Sequence, residues 1–165
     1  MPQAVKRLLR ECAPRIFAQI PKMKLSIHPE RRSREFIKHH VHGLPFEASF
    51  NEFTFADKGD PHDHPFDFVT HILSGGYTER VYSIADDGSF TFTDIVRKPG
   101  SSHFVKATDI HQIVHLPTGH CVTLMLPQSP HIRPVCFYRF EDGKAFRRIW
   151  RHRKFLPVGN DGRQV

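Results

Sequence analysis

The sequence predicts an all-β domain, a sandwich or barrel with the strand spacing of a jelly roll. Two observations predict it. From residue 46 onward, short apolar runs recur about every ten residues, each closed by Gly, Pro, Asp or Asn. The apolar content is also rich in aromatic and β-branched residues, 15 Phe among them, which suit a pleated and half-buried surface better than a helix. With 165 residues the chain is long enough for one domain with a sizeable core.

The elements follow in order. Residues 1–45 read as a leader of one or two short helices and irregular segments, interrupted by Pro14, Pro21, Pro29 and Pro45. Its amphipathic run from Lys6 to Glu11 lacks the apolar core and small-residue cleavage site of a secretory signal. Phe46, Ala48 and Phe50 then alternate with polar residues, and Phe53 and Phe55 continue on the other parity, which predicts a bulge near Asn51. Asp57-Lys58-Gly59-Asp60 is a turn. Strands are predicted at 68–73, 77–84 and 90–96, joined by Gly75-Gly76 and by Asp86-Asp87-Gly88-Ser89. Pro99-Gly100 turns into strands near 102–106 and 111–116. The runs 121–126, 135–140 and 145–150 complete the series, the last two joined by Glu141-Asp142-Gly143-Lys144. A barrel over 46–156 and a tail over 157–165 result.

Composition narrows the function. No apolar run approaches a membrane span. Cys12, Cys121 and Cys136 form no C-x-x-C pair, which argues against a disulfide framework or a thiolate zinc site and fits a reducing, cytoplasmic setting. The net charge of +7 gathers in Arg31-Arg32-Ser33-Arg34 with Lys38, and in the run from Arg147 to Lys154. Such stretches can meet phosphates or acidic partners. No nucleic-acid motif accompanies them, so a solvated basic surface is the plainer reading.

The chemistry is concentrated in histidine. Residues two apart on an extended strand share a face, so His62 and His64 in Pro61-His62-Asp63-His64-Pro65 can offer two imidazoles to one metal. Spacing alone is weak: with 13 His about one such pair arises by chance, and His40-Val41-His42 is a second. The surroundings set the first pair apart, since it follows an Asp/Gly turn, lies between prolines and precedes a strand ending in Gly-Gly. His111-Gln112-Ile113-Val114-His115 lacks the glutamate of a zinc-protease helix. No serine triad, P-loop or dinucleotide fingerprint is present.

The stretch PHDHPFDFVTHILSGGYTE resembles the first motif of the cupins: a turn, His-x-His, a carboxylate and a Gly after the next strand. Their second motif runs from a Gly through Pro-x-Gly to a His, and from Gly100 that step lands on His111, with Lys106 and Thr108 at the Pro and Gly positions. Over residues 50–126 the resemblance implies a double-stranded β-helix with a metal on His62, His64 and His111. The wording His-Asp-His-Pro with Gly-Gly-Tyr-x-Glu looks like a subgroup of cupin-like proteins.

One position departs from the pattern. The glutamate ligand of that family falls near Phe68, which cannot bind metal, and Asp67 is one place off. A three-His set resembles the Fe(II) centres of cysteine dioxygenase-like and acetylacetone dioxygenase-like enzymes; alternatively Asp67, Glu79 or water fills the gap. Imidazole suits Fe, Zn, Mn or Ni, with Fe(II) the metal the resemblance favours. Tyr77 and Glu79 are the polar groups expected on the barrel wall, Glu79 orienting a ligand His or acting as acid/base. Arg97 and Lys106 are candidates for binding an anionic substrate, and His103 and His115 are weaker site candidates. Two functions follow. One is a mononuclear Fe(II) oxygenase acting on a small molecule. The other is a non-catalytic binding module with a ligand or structural zinc, its basic ends contacting nucleic acid or a protein partner. Homodimerisation is implied by the resemblance alone.

Overall fold

A computed structural model describes residues 24–33 and 36–159 of the chain. Among them every regular element is a strand: β1 (Ser26–Arg31), β2 (Phe36–His42), β3 (Ala48–Phe53), β4 (Phe68–Ser74), β5 (Tyr77–Ile84) and β6 (Phe90–Arg97). Then come β7 (Ser102–Val105), β8 (Ile110–His115), β9 (Cys121–Pro127), β10 (Cys136–Glu141), β11 (Lys144–Ile149) and the short β12 (Leu156–Pro157).

All pairings are antiparallel. One sheet has the order β1-β2-β3-β9-β4-β7, and two three-stranded pieces have the orders β6-β5-β8 and β10-β11-β12. The two pieces are stitched together by the segment around His62, which bridges to His111 on β8 and to Phe137 on β10. The result is a two-layered, all-antiparallel jelly-roll arrangement. Its layers meet in apolar clusters such as Ile72, Tyr77, Ile113, Leu116 and Cys121, drawn from β4 and β9 of one layer and β5 and β8 of the other.

The strand predictions from residue 48 onward match the observed elements to within a few residues. Two expectations need correction. The described residues between 24 and 45 form no helix: β1 and β2 pair with each other, and β2 pairs with β3, so among the described residues the sheet begins at Ser26 instead of near residue 46. Pro29 is tolerated there because β1 is the outermost strand, where a missing N–H costs no ladder bond. The expected helix near Lys6 lies outside the described residues. Nor does β3 bulge at Asn51; its registers to β2 and β9 run unbroken. Ala48, Ser49, Phe50 and Asn51 are all buried, so both faces of β3 are covered and alternation is not required of it. The register shifts occur between Ile72 and Ser74, and between Thr78 and Glu79.

The Gly75-Gly76 turn is dictated by space as well as conformation. Gly75 has φ +78° and a Cβ there would stand 1.8 Å from the His120 carbonyl oxygen, so only glycine fits. No helix among the described residues is long and apolar enough to cross a membrane.

Candidate metal centre

Residues 61–65 run extended between the two halves of the second layer. The His62 N–H donates to the His111 carbonyl and the His111 N–H returns the bond, each at 3.0 Å. The Tyr138 N–H donates to the Pro61 carbonyl at 2.8 Å, and the Asp63 N–H to the Cys136 carbonyl at 3.1 Å. This segment therefore obeys strand alternation although it is too short to count as a strand. His62 and His64 turn to the barrel interior and Asp63 turns the other way.

Asp63 is completely buried, and its carboxylate is fully used. One oxygen accepts the Cys136 N–H at 2.6 Å; the other accepts the Tyr138 hydroxyl and the Arg133 guanidinium, each at 2.8 Å. Burial pushes its carboxyl above the ordinary carboxylate range, and these donors oppose that. The residue between the two histidines is thus the rivet that fixes them, a role the sequence motif did not disclose.

On the interior side the rings of His62, His64 and His111 converge. Their ligating nitrogens all lie within 4.8 Å of one another. His64 Nε2 and His111 Nε2 stand 2.7 Å apart. Burial, followed by the neighbouring His111, lowers the His62 imidazole to about 4, and burial holds His64 well below its ordinary range. Desolvated, neutral imidazoles with lone pairs aimed at one point are the donor set a borderline divalent metal takes. His111 Nδ1 is held by a Glu79 oxygen, which fixes the tautomer that turns Nε2 inward. The residues fit a metal.

Glu79 does not join the triad. It is 2% exposed, and its second oxygen is bound by Arg97 Nη2 at 2.7 Å and Nε at 2.8 Å. Burial would raise this carboxyl, but the hydrogen bond to His111 and the Arg97 guanidinium bring it down to about 2. Asp67, the other proposed gap-filler, points away: its carboxylate accepts the Ala107 N–H at 2.7 Å. Phe68 occupies the wall beside His64 with ring centres 4.7 Å apart, so an apolar ring stands where the sequence pattern would place a carboxylate.

The remaining candidates fall as follows. Tyr77 is 4% exposed and lines the interior, its hydroxyl kept protonated by burial and then by the Glu79 charge. His103 is outside the triad; its Nε2 is 3.7 Å from Glu79, and neither ring nitrogen has a hydrogen-bond partner. His115 and Lys106 are exposed, and Arg97 is consumed by Glu79. Arg97 is thus engaged by Glu79 and Lys106 lies on the surface, which is where the plainer reading of these two side chains put them.

The triad opens into a cavity of about 800 Å³ between the layers. Apolar residues Phe66, Phe68, Val105 and Met125 pack together along one side of it. Phe36 and Phe53, stacked at 4.9 Å, line it with Phe137 and Trp150. Fold and site together define an antiparallel β-barrel with three imidazoles converging on its inner wall, a candidate metal site.

No family model matches the chain. No curated protein matches it either. Solved structures do. Hydroxypropylphosphonic acid epoxidase from S. wedmorenis aligns with a TM-score of 0.47 at 10% identity, over 62% of this chain and 55% of that one. CapF with the inhibitor 3-isopropenyl-tropolone gives 0.47 at 14%, over 64% and 31%. KdgF from Halomonas sp. gives 0.43 at 16%, over 64% and 91%. The chain thus spans about half of the epoxidase and a third of CapF.

Proposed function

We propose that this protein is a metal-dependent enzyme, a mononuclear Fe(II) oxygenase that acts on a small molecule held in the barrel. The observation that carries this reading is the composition of the site: three imidazoles, no carboxylate within the set, and an adjoining cavity of about 800 Å³, the size of a small-molecule pocket. His62, His64 and His111 would hold the metal, which would supply a Lewis-acidic, redox-capable centre.

The chain's own residues do the rest. Glu79, braced by Arg97, holds the His111 ring in one tautomer and one orientation; it is a positioning residue, sealed from substrate. Tyr77 presents a protonated hydroxyl on the cavity wall, a donor for a substrate oxygen. Phe66, Phe68 and Met125 keep water from that side.

The test is elemental analysis of tag-free protein purified without chelator, wild type beside His111→Ala, followed by oxygen-uptake measurements on candidate substrates. Near-stoichiometric iron, lost in the variant, supports the reading. Zinc lost in the same way keeps the site and overturns the oxygenase. Protein that holds no metal and takes up no Fe(II) overturns the enzyme.

A further inference from the structure

The six-stranded layer carries a polar row that faces the triad across the cavity. Lys38 on β2 pairs in register with Asn51 on β3, and Asn51 pairs with Thr123 on β9. All three side chains line the cavity that holds His62, His64 and His111. Asn51 is 8% exposed and Thr123 is 2% exposed, in a wall that is otherwise largely apolar. Ser49 Oγ donates to Asn51 Oδ1 at 3.4 Å, which sets the amide with its NH₂ end away from Ser49.

Lys38 is the unusual member. Its cross-strand neighbour Glu30 is turned to Arg32 at 2.8 Å and to His40 at 2.9 Å. Among the described residues no acidic side chain lies at ion-pair distance from Lys38. The acids that line the same cavity are committed or peripheral: Asp57 accepts the Ile113 N–H, Asp63 is bound by Arg133, and Glu47 is exposed. Burial lowers the Lys38 ammonium from its ordinary range, and its charge is felt by His64. Glu30 and Glu47 act on that ammonium only from beyond ion-pair distance, and a half-buried cation so weakly countered is costly unless something negative joins it.

We infer that Lys38, with Asn51 and Thr123 beside it, is the recognition site for an oxyanion group on the ligand, so that the barrel takes a small carboxylate or phospho compound. The inference rests on the proposed function only in placing the rest of that molecule toward the triad. A lysine ammonium binds such a group as a point charge, and an amide and a hydroxyl add directional donors. The aromatic pair Phe36 and Phe53 leaves room for a ring or chain on the same molecule.

The test uses benzoate and phenylphosphonate as anionic probes and benzamide as the uncharged counterpart. Binding is followed by calorimetry and by Trp150 fluorescence on full-length protein, metal-free and metal-loaded. Benzoate or phenylphosphonate should bind at least about tenfold tighter than benzamide, because a hydrogen bond to a charged group is stronger than one between neutral groups. Lys38→Met should weaken the anions by about tenfold or more and leave benzamide unchanged, and Lys38→Arg should retain anion binding. Lys38→Gln serves if the methionine variant does not fold. The preferred anion says whether the group is a carboxylate or a phosphonate. Equal binding of benzamide, anion binding indifferent to Lys38, or no anion binding at millimolar concentration overturns the inference. Lys38-dependent binding in protein that takes up no metal would leave it standing and overturn the proposed function; stoichiometric iron without charge-selective binding would do the reverse.

Discussion

His111 is held twice, by its backbone bridge to His62 and by Glu79 at Nδ1, whereas the interior nitrogen is left for a metal. Replacing it removes a ligand and the partner of a buried carboxylate together. Glu79→Gln is the more selective probe. It keeps the shape and cancels the charge, so metal affinity should fall by about 10–100-fold with the fold retained, as read by competitive metal titration. The same residues set the acid response of the metal-free protein. His62 gains its proton near 4 in the folded state, against 6.5 ordinarily, so the unfolded chain binds more protons in that interval. Stability is full above pH 6.5 and drains as pH falls toward 4, by on the order of 3 kcal/mol from this group. Glu79 acts lower: its carboxyl sits at about 2, against 4.5, so its contribution is complete above pH 4.5 and is lost as pH falls through 2. Urea denaturation at a series of pH values should therefore show the first loss in the histidine window. A profile flat from pH 6.5 to 4.5 would contradict the burial of His62.

At the scale of elements, the site depends on two short connections. The first is the bridging segment 61–65, riveted by Asp63. Asp63→Ala leaves the Arg133 guanidinium, the Cys136 N–H and the Tyr138 hydroxyl without their acceptor, and a cost of about 3–5 kcal/mol in urea denaturation is expected. Because that segment carries His62 and His64, metal affinity should fall with it. The second is the Gly75 turn between β4 and β5. Gly75→Ala drives a methyl group into the His120 carbonyl, and loss of soluble, folded protein is expected. Gly100→Ala is the control: φ is +85° there, with open space around the missing Cβ, so only about 1–2 kcal/mol of left-handed strain applies. Thermal melting of the two variants side by side separates crowding from strain.

For the whole molecule, a metal that binds the folded chain and ties segment 61–65 to β8 must raise its stability. At a free metal concentration about 1,000 times Kd the gain is about 4 kcal/mol, or roughly 8–16 °C in Tm for a domain of this size. Melting curves with and without chelator measure it. His62→Ala should melt at the same temperature in both, since its triad is broken before the metal arrives.

What the sequence alone determined is the part governed by local periodicity. Strand alternation and turn residues placed the elements from residue 48 onward, and the same two-residue period put His62 and His64 on one face. Gly-Gly marked the turn that space requires. The tertiary structure decided everything that depends on partners distant in the chain. Pairing across the sheet converted a supposed leader into β1 and β2, and thereby brought Lys38 to the cavity wall. Cross-strand register gave Arg97 to Glu79, and a turn at Ala107 took Asp67 out of reach of the metal site. Asp63 became a rivet only because β10 returns beside it some 70 residues later. Alternation tells which face a side chain takes; only the long-range pairing of strands tells what stands opposite that face.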